Sequence, residues 1–94
     1  MVKGKTSTGF VFKLDDDVKD DMELLEYFAR FDRGERDLMA IVISKLLGEE
    51  QKKRLYDHCR SKKTGRVSAQ KVIMEAKEVL DAINASEDEA VKNL

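Results

Sequence analysis

The hydrophobic positions of this chain change period along its length, and each change marks an expected element. Phe10, Phe12 and Leu14 alternate with Val11 and Lys13, which predicts a strand. Thr6-Ser7-Thr8-Gly9 supplies turn chemistry just upstream, so the strand should pair with Val2 to Lys5 as a hairpin. A lone two-stranded hairpin is marginal in water, so its phenylalanine face must cover helices or pair with another subunit. Asp15-Asp16-Asp17 then offers a helix N-cap and places negative charge at the positive end of a helix. Val18, Met22, Leu25 and Ala29 follow at helical spacing, with Leu24, Phe28 and Phe31 as the adjoining stripe. This first helix should end near Asp32-Arg33-Gly34, where glycine can adopt the left-handed cap.

Leu38, Met39, Ile41, Val42, Ile43, Leu46 and Leu47 surround most of the next segment, the pattern of a central helix covered on several sides. The β-branched Ile41-Val42-Ile43 would also suit a buried strand, but Glu35 to Leu47 is long for one and ends at the helix-stopping Gly48. From Glu49 a third helix is expected, acidic in its first turn and basic in its last, with only Leu55, Tyr56 and Cys59 available to pack. Lys63-Thr64-Gly65 makes a turn and Ser68 a cap. Val72, Ala76, Val79 and Ile83 give a fourth helix its buried stripe, widened by Ile73 and Leu80. Periodicity is lost after Asn84, so the polar end should fray unless a partner binds Val91 and Leu94. The expected fold is mainly α, a four-helix domain over residues 1–84 with an N-terminal hairpin at 2–14 and a flexible tail at 85–94.

With 94 residues the chain can build one small core but not two ordinary domains. Its formal charge is only −1 although 39% of residues are charged, so partners must be recognised by local patches. Such patches exist. Asp15 to Glu26 holds seven acids and one base, whereas Lys52 to Lys71 holds eight bases and one acid. The N-terminus lacks the apolar core of a signal peptide, and the longest apolar run, Leu38 to Ile43, is far short of a membrane span. With a single Cys59, no internal disulfide can form, and a cytosolic setting is expected.

Candidate chemistry thins out on inspection. Asp15, Asp17 and Glu26 match three positions of a calcium loop, but Lys19 and Asp20 occupy places that need a ligand and a glycine. A second apparent loop around Gly65 would put Arg60, Lys62 and Lys71 at liganding positions, where they would repel the ion. His58 and Cys59 are neighbours on a helix and point about 100° apart, too far for a thiolate–imidazole pair. There is no second His or Cys to complete a metal site. No acid, base and nucleophile converge, so neither an enzyme nor a cofactor is expected. The basic segment carries one aromatic, Tyr56, where a nucleic-acid surface would want several, so a solvated face or an acidic protein partner is the better expectation.

The order of segments is more informative than any of these sites. An alternating FVFKL strand is followed by DDDVKDDMELLEYFARFD, an apolar helix ending KLLG, and EEQKKRLYDHCRSKKTGRVSAQKV. Over residues 9–83 this arrangement resembles the small tail assembly chaperones of long-tailed phages and prophages of Gram-positive bacteria. The resemblance implies a cofactor-free binding protein that keeps the helical tape measure protein soluble until tail tube subunits polymerise around it. It also implies contacts with the major tail tube protein and with further copies of the chain, in the host cytoplasm and not in the mature virion.

On that reading Phe10, Phe12, Leu55 and Tyr56 would form the apolar part of the client contact, and Lys52, Lys53 and Arg54 the electrostatic part. The competing expectation is that Phe10 and Phe12 close the protein's own core and that Leu55 joins them. A rival function is a small regulatory or nucleic-acid-binding helical protein of a mobile element that uses the basic segment 52–71.

Overall fold

The computed structural model describes residues 2–92. Strands β1 (Val2–Lys5) and β2 (Val11–Leu14) pair antiparallel, with Gly4 opposite Phe12 and Val2 opposite Leu14. The connecting loop closes through Thr6 N–H to Phe10 O at 2.9 Å and Gly9 N–H to Thr6 O at 3.0 Å, with Gly9 in a left-handed conformation at φ 96°. Period-2 alternation sends Phe12 and Leu14 inward and Val11 and Lys13 outward. The Phe12 ring lies over Gly4, and a Cβ there would come within 2.6 Å of Cζ. Gly4→Ala is therefore expected to displace the ring and cost about 1–3 kcal/mol, measurable as a lower urea midpoint with unchanged m-value.

Three α-helices follow among the described residues, α1 (Met22–Asp32), α2 (Met39–His58) and α3 (Ala69–Lys92), so the mainly α class with an N-terminal hairpin holds while the expected count of four helices does not. The second and third expected helices form the single element α2, kinked at Gly48. There the backbone takes φ 79° and ψ 165°, a combination essentially restricted to glycine. The expected break is thus at the right residue, but the chain resumes its helix at once instead of leaving in a loop.

The start of α1 also differs from expectation. Asp16–Asp20 forms a short 3-10 turn, and α1 begins only at Met22, with Asp21 as its cap accepting the Leu24 N–H at 3.0 Å. Its end follows the expectation. Gly34 (φ 109°) donates to Phe31 O and Glu35 to Arg30 O, closing the helix, while the Arg30 guanidinium holds both Glu35 oxygens at 3.0 Å. At the far end, α3 continues to Lys92 instead of ending near Asn84; Asn93 and Leu94 lie outside the described residues.

The core sits where the hairpin's inner face meets all three helices. Phe10, Phe12 and Leu14 pack with Leu24 and Phe31 of α1, Val42, Ile43, Leu46 and Leu55 of α2, and the Val72, Ala76, Val79, Ile83 stripe of α3. Gln51 joins α2 to the hairpin: its amide accepts the Lys13 N–H and donates to Lys13 O, both at 2.8 Å, and so satisfies the outer edge of β2. Arg54 adds a bond to Val11 O at 3.2 Å. No helix among the described residues is long and apolar enough to cross a membrane.

Candidate docking groove

Alternation in β2 and the single apolar line of the second half of α2 decide where the expected contact residues go. Phe10, Phe12 and Leu55 are buried, 3%, 2% and 0% exposed, so they belong to the protein's own core and offer no surface to a partner in this fold. The polar members are partly engaged as well. Lys52 bonds Ser44 Oγ at 2.9 Å and lies 5.7 Å from the Tyr56 ring centre. Arg54 sits 5.3 Å over the Phe10 ring while bonding the strand edge. Lys53 is exposed, and half-buried Tyr56 lines a hollow of about 370 Å³ with Met39, Val72 and Ile73. Of the eight basic residues in segment 52–71, Lys52, Arg54 and Arg60 hydrogen-bond within the fold, Arg60 to Asp57 and to Gly65 O.

A second group of polar side chains gathers at the hairpin tip. Thr8 Oγ1 donates to Glu75 Oε1, and with that proton committed it can only accept from His58 Nε2, 2.9 Å away. Ser7 donates its N–H and hydroxyl to the two oxygens of Glu78 at 2.9 and 3.0 Å. The tip is therefore pinned to α3 by two carboxylates and to the end of α2 by His58. Glu75 is only 3% exposed, and its Oε2 is buried without a hydrogen-bond partner. Periodicity alone gives no hint of this, since a glutamate on a helix ordinarily reads as solvated. Cys59 is buried beside this cluster, and burial, with Glu75 nearby, raises its thiol above the ordinary cysteine range, so it is a packed side chain and a poor nucleophile. Among the described residues, no three of His, Cys, Asp and Glu gather into a group able to hold a metal ion.

The larger concavity lies elsewhere. Helices α1 and α3 each pack on α2 more than on each other, and the gap between them is a cleft of about 660 Å³, within the size range of ligand pockets. Val18, Leu24, Leu25, Phe28, Leu80 and Ile83 give it an apolar lining. Asp20, Asp21, Asp32 and Asp81 border it against two lysines, Lys19 and Lys77. Of the two apolar stripes expected on α1, the one through Met22 and Leu25 is left largely open, at 72% and 61% exposed, while Leu24 and Phe31 of the adjoining stripe turn into the core. Two neighbouring exposed apolar side chains at the mouth of an apolar cleft form the kind of patch that marks an interaction surface. Comparison of the chain with protein-family models, curated proteins and solved structures finds no match in any of the three.

Proposed function

We propose that this protein is a tail assembly chaperone, a binding protein that holds the tape measure protein soluble in the host cytoplasm until tail tube subunits enclose it. The observation that carries the proposal is the open apolar cleft between α1 and α3, with Met22 and Leu25 uncovered at its mouth. It joins the order of segments in the sequence, from the FVFKL strand to the SAQKV helix start. A long helical client aggregates through its apolar seams, and a groove between two helices shields such a seam by accepting it as a third helix. Shielding requires neither cofactor nor catalytic group.

The test is co-expression of this chain with the tape measure protein of the same genome, scored by soluble yield and co-purification. The expected result is a soluble complex that survives about 1 M salt, where the screening length falls to about 3 Å and contacts made only through charge are lost. A client that stays insoluble beside a freely soluble partner would overturn the proposal. A nucleic-acid-binding protein would instead lose its ligand steeply with salt, because each neutralised phosphate releases counterions.

A further inference from the structure

We infer that the cleft between α1 and α3 seats an amphipathic helix whose apolar seam is flanked by lysine or arginine. The inference rests on the binding-protein reading above and names the chemistry of its ligand. Length comes from α1: Met22, Leu25, Phe28 and Asp32 recur every three or four residues, so they line one continuous strip of about 15 Å, the rise of nearly three helical turns. A ligand helix of about three turns can lie along it. Charge comes from the border, where four carboxylates face two ammonium groups. The surrounding chain deepens the imbalance, since Asp15, Asp17 and Glu26 stand on the same acidic segment. The excess lies along the α1 side, where Asp20, Asp21 and Asp32 outnumber Lys19, while Asp81 and Lys77 balance on α3; a basic flank finds partners along α1 and an acidic one meets like charge there.

Among the described residues, the basic half of α2 in a second copy supplies no such helix. The basic segment lies on the second half of α2 and the following turn, where Leu55 and Cys59 are engaged in the core and Tyr56 is half-buried against Met39, Val72 and Ile73. That half of α2 presents charge without a free apolar seam. On α3 only Met74 is exposed among the large apolar side chains described, between Lys71 and Lys77, and a single residue makes no seam, so the occupant is a different chain that combines several apolar and basic positions at helical spacing.

The experiment uses the full-length protein and two synthetic helical peptides with the same leucine seam, one flanked by lysines and one by glutamates, titrated calorimetrically. The lysine-flanked peptide is expected to bind at least roughly tenfold more tightly at low salt, with the preference collapsing near about 1 M salt. Leu25→Glu, a change at an exposed position, should abolish binding of both while leaving the thermal melt in place, and Asp81→Lys should narrow the preference between them. Equal affinity for the two peptides, or binding indifferent to Leu25→Glu, would overturn the inference. So would concentration-dependent self-association that Leu25→Glu removes, because it would put a second copy in the cleft. The two proposals fail separately. A tape measure complex insensitive to Leu25→Glu sinks the cleft and spares the chaperone reading; a lysine-flanked peptide in the cleft with no tape measure complex does the reverse.

Discussion

Phe12→Ala is expected to remove about 3–5 kcal/mol of folding stability, a large share of the roughly 5–14 kcal/mol that a chain of this length ordinarily has. The ring is 2% exposed and lies over its cross-strand partner Gly4, which has no side chain to fill the space it leaves. The loss combines the transfer free energy of a phenyl group with the cavity left behind. Leu25→Ala supplies the contrast, because its side chain is 61% exposed and its removal should change stability by no more than about 0.5 kcal/mol. Urea unfolding of the two variants separates a core role from a contact role for each residue. Equal, small effects on stability would show that Phe12 is not the core residue the structure makes it. The same contrast guards the binding experiments, since a client lost by Phe12→Ala through unfolding says nothing about the surface, whereas one lost by Leu25→Glu does.

The parts of this fold that are legible in the sequence are those where a local rule has a single solution. Val72, Ala76, Val79 and Ile83 repeat over enough turns that only one face of α3 can be buried, and that face is the buried one. Gly48 sits at a backbone angle open to glycine alone, so the break it marks is where the sequence puts it. Phe12 and Leu14 point inward because period 2 in a short strand allows two faces and only one is apolar. Where several residues satisfy the same rule, the sequence loses its grip. Seven acids lie between Asp15 and Glu26, any of the aspartates can cap a helix, and Asp21 is the one that does. The two stripes of α1 are comparably apolar, and what selects Leu24 and Phe31 over Met22 and Leu25 is the position of α2, which helical spacing does not contain.

The candidate site was illegible for the same reason. A sequence says which residues are apolar, but a groove depends on which of them a neighbouring helix fails to cover. Phe10, Phe12 and Leu55 are large and apolar beside charge, which suits a partner contact and equally the protein's own core, the competing expectation that their burial bears out. Gln51 and Glu75 were missed in the opposite sense. Each is a polar residue on a charge-rich helix, yet one satisfies the edge of β2 and the other is buried under the hairpin tip.

Thr8→Val should be the most damaging single change at the hairpin tip, costing about 3 kcal/mol although it alters only one hydroxyl. Valine keeps the shape of threonine, so packing is conserved and the effect is one of hydrogen bonding. Glu75 has one oxygen on the Thr8 hydroxyl and the other buried with no partner, so removing that hydroxyl leaves the buried carboxyl group unsatisfied at both oxygens. His58 Nε2 and the Thr6 hydroxyl lose their contacts as well, but His58 is exposed and water replaces it, and Thr6 Oγ1 still accepts the Phe10 N–H. The asymmetry between losing one partner and losing both supplies the decisive control. Thr8→Val combined with Glu75→Leu replaces donor and acceptor together by apolar groups, and most of the lost stability should return. Thr8→Ser, which keeps the hydroxyl, should stay within about 1 kcal/mol of the parent. Denaturant unfolding of the four proteins measures the coupling directly. If Thr8→Val costs no more than Thr8→Ser, or if the double variant is as unstable as the sum of its single changes, the hydroxyl does not hold the Glu75 carboxyl and the bonds from Ser7 to Glu78 are what fasten the tip to α3.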